Sequence, residues 1–177
     1  MEQGGGPGGD YITGVVQNGG LAFQDGFSIH PYLAPDSTPD LGYPAPTSPI
    51  GGGRVSLPLV LPHLKGFIGG HRKPDGGKLD LWITEYGWFT SPVTYEHPDW
   101  IQAAYLARSY LLVRRFPVAK TLFWYDFQDD GASAADKENN FGLIRANYSP
   151  KPAYVAAGGT CHHGGKSRLE QGPGRDR

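Results

Sequence analysis

LDLWITEYGWFTSP, residues 79–92, is an apolar run that closes on one carboxylate, Glu85, and crowds it with the rings of Tyr86, Trp88 and Phe89. A short apolar run bounded by turn residues reads as a buried strand, so the stretch predicts a strand over Leu79–Thr84 entered from the loop HRKPDGGK. Two further stretches have the same form. QDGFSIHPYL, residues 24–33, predicts a buried strand ending near His30 and Tyr32, and residues 121–126 predict a third, followed by a long polar loop to Asn140.

Helical stretches separate these strands. Residues 11–23 predict a short, weak helix interrupted by glycines, and residues 57–70 a longer one in which Pro58 suits the first turn while Pro62 argues for a later start. Asp99 stands where a helix cap belongs, with Gln102 three residues on in capping-box spacing. Ile101, Ala104, Tyr105, Leu111 and Leu112 then supply the apolar stripe as far as Phe116 and Pro117. Strands alternating with helices imply βαβ units and a parallel sheet. The proline- and glycine-rich residues 34–53 read as a long surface loop of the functional kind.

With 177 residues and a formal net charge of -1, the chain is about one domain long and nearly neutral. No Lys/Arg-rich run points to nucleic acid or an anionic membrane, so a neutral ligand fits better. No apolar run is long enough to span a membrane, and MEQGGGPGGD has neither the basic region nor the apolar stretch of a secretory signal. The chain as written therefore reads as soluble and without an export address. Residues 1–10 are glycine-rich and expected to be disordered, residues 11–157 form the domain, and residues 158–177 lose apolar periodicity and read as a disordered tail. Cys161 is the single cysteine, so no internal disulfide is expected. The sequence Cys161-His162-His163 offers metal-ligating side chains without a frame to converge them, and neither a metal nor a cofactor is expected. Asn147-Tyr148-Ser149 fits a glycosylation acceptor but carries no weight without an export signal.

The chemistry collects at the strand ends: His30 and Tyr32 after the first, Glu85, Tyr86 and Trp88 after the second, Trp124, Asp126 and Gln128 after the third. In a parallel α/β barrel those ends share one pocket. A carboxylate among rings is partly desolvated and needs donors to stay ionised, and Tyr32 and His30 are the candidates. An ionised, oriented carboxylate is a nucleophile, and indole faces stack on the C–H faces of sugars. Blander readings stand beside these: Glu85 as a solvated ion-pair partner, Trp124 as core, His30 as a core histidine bonded to backbone.

DGFSIHPY, WITEYGW and LFWYDFQDDG, followed by ENNFGLI and SPKPAY, resemble the sixth, seventh and eighth strands and following loops of the clan A retaining glycoside hydrolases. Among these, the β-xylosidase-like and cellulase-like enzymes are nearest. The resemblance covers residues 11–157 and implies an α/β fold that is a partial (β/α)8 TIM barrel, about the last three βα units. It implies that Glu85 is the catalytic nucleophile, that His30 and Tyr32 orient it or touch sugar, and that Trp124 is a sugar platform. Trp88, Asp126 and Gln128 join the substrate-binding set, and the substrate is an oligo- or polysaccharide with β-linked sugars. Such enzymes are often secreted.

One element of the pattern is missing. A retaining mechanism needs a second carboxyl group about 5 to 5.5 Å from the nucleophile, in this clan a glutamate after asparagine, and no Asn-Glu pair occurs here. Glu138 is the first candidate substitute, followed by Asp126 and Asp129. The rival readings are a non-catalytic carbohydrate-binding protein using Trp88, Trp124 and Tyr32, and a truncated product without a stable fold. A three-stranded part of a barrel is expected to be inactive alone and to self-associate through its open sheet edges, with Ile29, Ile83 and Phe123 facing the missing wall.

Overall fold

The computed structural model describes residues 14–33, 38–40, 43–44, 54–91 and 97–165. In chain order its strands are β1 (Gly26–Ile29), β2 (Tyr43–Pro44), β3 (Arg54–Val55), β4 (Asp80–Tyr86) and β5 (Thr121–Trp124), and its helices are α1 (Leu57–Gly69), α2 (Asp99–Arg115) and α3 (Pro152–Gly165). β1, β4 and β5 form a parallel sheet with β4 in the centre. α1 connects β1 to β4 and α2 connects β4 to β5, so the expected βαβ alternation is present. β2 and β3 make a separate antiparallel pair.

Side chains alternate across the sheet. Phe27, Ile29, Leu81, Ile83 and Leu122 are buried in one cluster with Leu57 and Leu61 of α1, and Tyr105, Leu112 and Val113 of α2 pack against it. Ser28 and Phe123, on the opposite face, are exposed, and Trp82 and Thr84 are partly so. The expectation that Ile29 and Ile83 face a missing wall is therefore corrected: their parity turns them to the helices. Phe123, 58% exposed, does look out from the open face.

α1 begins at Leu57 and runs through Pro62, rather than starting after it. Leu57, Val60 and Leu61 are buried along one side, while Pro62 lies exposed, where solvent can serve the carbonyl that loses its N–H partner. α2 has Pro98, not Asp99, at its cap position and no capping box. The Asp99 carboxylate pairs with Arg145 instead, and the Gln102 amide is buried against loop carbonyls. The expected apolar stripe shifts with it: Leu106 and Ser109 are buried and Leu111 is exposed.

The expected disorder after Ala157 is overturned as far as Gly165, because α3 continues through Gly158 and Gly159 and packs on α2. Pro152 suits a first helical turn, Lys151 and Ala153 anchor it in the interior, and Thr160 bonds back to the carbonyls of Ala156 and Ala157. Residues 11–23 yield a helical turn at 14–17 and a 3-10 turn at Gly20–Phe23. The expectations for residues 1–10, for residues 166–177 and for most of residues 34–53 lie outside the described residues, as do the side chains of Cys161, His162 and His163. Among the described residues no helix is long and apolar enough to cross a membrane.

Candidate active site

The register of β4 against β5 shifts between Ile83 and Tyr86. Such a bulge re-aims side chains, and here it brings two consecutive residues to one partner: His30 Nε2 lies 2.9 Å from Thr84 Oγ1, and His30 Nδ1 lies 3.5 Å from Glu85 Oε2. Ser28 Oγ, 2.7 Å from Thr84 Oγ1, extends the chain. Tyr32 donates its hydroxyl to Glu85 Oε2 at 3.4 Å. Burial first, and then the Glu85 charge, push the Tyr32 phenol well above its ordinary value, so it remains a proton-bearing donor throughout the neutral range.

Glu85 opens onto a cleft of about 300 Å³ whose walls include Tyr32, Trp88, Tyr125, Lys137, Glu138 and Phe141. Tyr32 stacks on Tyr86 at 6.3 Å and meets Tyr125 and Phe141 edge-on. Burial raises the Tyr125 phenol, and the charges of Asp130, Asp126, Glu138 and Glu85 add to that. Gly87 lets the chain turn out of β4: a Cβ there would run into the Tyr125 carbonyl.

The strand ends thus bring together His30, Tyr32 and Glu85, with Glu138 on the same cleft. The other expected residues fall differently. Trp88 touches the cleft but is 2% exposed, edge-on to Tyr86 at 5.5 Å and Tyr105 at 4.9 Å, so its indole faces are committed to packing. Trp124 is not among the cleft residues; its ring packs edge-on to Tyr86 at 6.2 Å. Asp126 accepts from the Gln128 backbone at 3.0 Å, and Gln128 donates to the Ala146 carbonyl at 3.2 Å, so both tie the loop after β5 rather than line the cleft. Asp129 is buried against Lys151. The irregularity in β4 turns Glu85 to the side of Thr84, whereas Trp124 keeps the parity of Leu122 and packs against the core, and a turn consumes Asp126.

Sequence reading missed Tyr125, Lys137, Phe141, Gln102 and Lys151. Gln102 donates to the carbonyls of Trp88 at 2.8 Å and Phe141 at 3.0 Å, joining α2 to both cleft loops. Lys151 donates to Asp129 Oδ1 at 2.6 Å, Asn140 O at 3.0 Å and Thr90 Oγ1 at 3.1 Å. Burial lowers the lysine and raises the aspartate, and the pairing opposes both shifts. The sequence signal for these was slight: a glutamine and a lysine at ordinary helix starts. Among the described residues no three His, Cys, Asp or Glu side chains converge as a metal site.

No protein-family model and no curated protein matches the chain. Solved structures do. A family 39 glycoside hydrolase from the gut symbiont Bacteroides cellulosilyticus WH2 is 48% identical with a TM-score of 0.76, over 89% of this chain and 31% of that one. The family 39 enzyme from Xanthomonas axonopodis pv. citri, 17% identical with a TM-score of 0.56 over 91% of this chain and 31% of its own, shares the fold. So does a family 2 β-galacturonidase from Eisenbergiella tayi, 18% identical with a TM-score of 0.54 over 81% of this chain and 24% of its own. The chain therefore spans about a third or less of the length of each of these structures. With nearly half of its aligned residues identical to a family 39 enzyme and the same arrangement of strands and helices, the chain is a relative of the glycoside hydrolases and corresponds to a part of one.

Proposed function

We propose that residues 11–157, together with the rest of α3, form the nucleophile-bearing part of a retaining glycosidase that acts on β-linked saccharides. In this reading the three parallel strands are about the last three βα units of a (β/α)8 barrel, and further strands close over Ser28, Trp82 and Phe123. The observation that carries it is Glu85 at a strand end, opening onto a cleft, with Tyr32 OH and His30 Nδ1 both directed at Oε2. Tyr32 holds one carboxylate oxygen with His30 beside it, and the other oxygen attacks the anomeric carbon. Breaking the glycosidic bond to an ordinary sugar also needs a proton donor. Glu138, on the same cleft, is the candidate within this chain, and the alternative is a carboxyl from the remainder of the barrel.

A 2-deoxy-2-fluoroglycosyl fluoride tests Glu85 independently of the acid, because fluoride leaves without protonation. Offered to the chain reconstituted with the complementary part of a family 39 barrel, it should label Glu85 in a peptide map, and Glu85→Gln should abolish labelling. Labelling of another residue overturns the assignment. Capture without cleavage is the second reading, favoured by Glu138 already being paired with Lys137. Sugar binding with no covalent label supports it.

A further inference from the structure

We propose that Lys137 and Glu138 form a hydroxyl-reading pair on the cleft wall, a recognition site for two adjacent hydroxyls of a neutral sugar; the proposal rests on the glycosidase reading above. Both side chains line the cleft that holds Glu85. Their charged ends lie 3.3 Å apart, Lys137 Nζ to Glu138 Oε1, and both are about half exposed, 53% and 60%. An ammonium offers only donors and a carboxylate only acceptors, whereas a hydroxyl is both. Two adjacent sugar hydroxyls can therefore bridge the pair, one accepting from Lys137 and the other donating to Glu138. An exposed ion pair contributes little to folding, so its hydrogen-bonding capacity is available to a ligand.

The backbone presents the pair ready-made. Asp136 Oδ1 accepts from Glu138 N at 3.1 Å, and Asp136 Oδ2 from Asn139 Nδ2 at 3.3 Å. Asn140 Nδ2 donates to the carbonyls of Ser133 at 2.7 Å and Asp136 at 2.6 Å. The Asn140 carbonyl in turn receives the Thr90 N–H at 3.0 Å and Lys151 Nζ at 3.0 Å, which ties this turn to the loop after β4. A recognition pair held in this way loses little freedom on binding. The cleft walls carry Glu85 and Glu138 against one lysine, so a carboxylate-bearing sugar meets net repulsion and a neutral one does not. A carboxylate already shared with an ammonium is an acceptor, and that role competes with delivery of a proton by Glu138.

The test titrates the full 177-residue chain calorimetrically with the methyl β-glycosides of glucose, galactose and xylose. The titration is repeated with monodeoxy derivatives of whichever binds most tightly and with methyl β-glucuronide. Loss of either of two adjacent hydroxyls should weaken binding about tenfold, as for a hydrogen bond to a charged group, and the glucuronide should bind more weakly than the glucoside. Lys137→Met should erase one deoxy penalty and Glu138→Leu the other, with unchanged far-UV circular dichroism because both side chains are half exposed. Deoxy penalties that persist unchanged in both variants overturn the proposal. Failure of all three glycosides to bind overturns it as well, and leaves the Glu85 assignment to the fluoride-labelling experiment.

Discussion

Glu85 has its character from its neighbours. Tyr32 donates to Oε2 and His30 Nδ1 stands 3.5 Å from it, and Tyr32 is held protonated by burial and by the glutamate itself. Tyr32→Phe should slow fluoride labelling of Glu85 about tenfold, the low end for a hydrogen bond to a charged group, since the contact is long at 3.4 Å. An unchanged rate would show that Tyr32 packs and does not orient. The same residue predicts a pH effect. Tyr32 and Tyr86 are both raised above the ordinary phenol value by burial, so the folded state holds those protons more tightly than the unfolded one. Their contribution to stability is complete below about pH 10 and falls as pH rises beyond it. Urea midpoints measured between pH 8 and 11 should be flat and then decline, with a shallower decline in Tyr32→Phe.

Among the elements, the loops after β4 and β5 depend on α2 and α3 for their positions. Lys151 spends its three donors on Asp129, Asn140 and Thr90 while almost wholly buried. Lys151→Met leaves Asp129 buried without its cation and should cost about 3 to 5 kcal/mol, measured by urea denaturation. Asp129→Asn in the same background should recover part of that loss, because no unpaired charge is left inside. A loss no larger for the single variant than for the double would mean that shape, and not charge, sets the cost. The strands offer a second comparison. Ile83→Ala opens a cavity against α1 and α2 and should cost about 2 to 5 kcal/mol, whereas Phe123→Ala on the open face should change stability by about 0.5 kcal/mol or less. The reverse order would invert the assignment of the two faces.

At the level of the whole molecule, β1 and β5 flank β4 as outer strands, and the face bearing Ser28, Trp82 and Phe123 is uncovered by any described element. Exposed aromatic surface beside strand edges that no described strand pairs favours association. Sedimentation of the purified chain should show concentration-dependent oligomers, and Phe123→Lys should reduce them without loss of the sheet. A monomer at all concentrations would mean that the face is covered by residues outside those described.

The sequence by itself determined the three parallel strands, the helices between them and the carboxylate at the end of the central strand, because these are local matters of apolar run length and turn residues. It also carried the glycosidase resemblance, since WITEYGW and the strand ends around it are contiguous motifs. It could not say which side of each strand meets the helices, and so Ile29 and Ile83 were placed on the wrong side and the packing of Trp124 on Tyr86 went unseen. Parity is set by a bulge and by packing partners distant in the chain. Nor could it show that Asp99 would leave its cap for Arg145, that Gln102 and Lys151 would reach across to loop carbonyls, or that α3 would persist through two glycines against α2. Those outcomes depend on which polar groups are left without partners once the chain is compact, and only tertiary structure brings such groups within hydrogen-bonding distance.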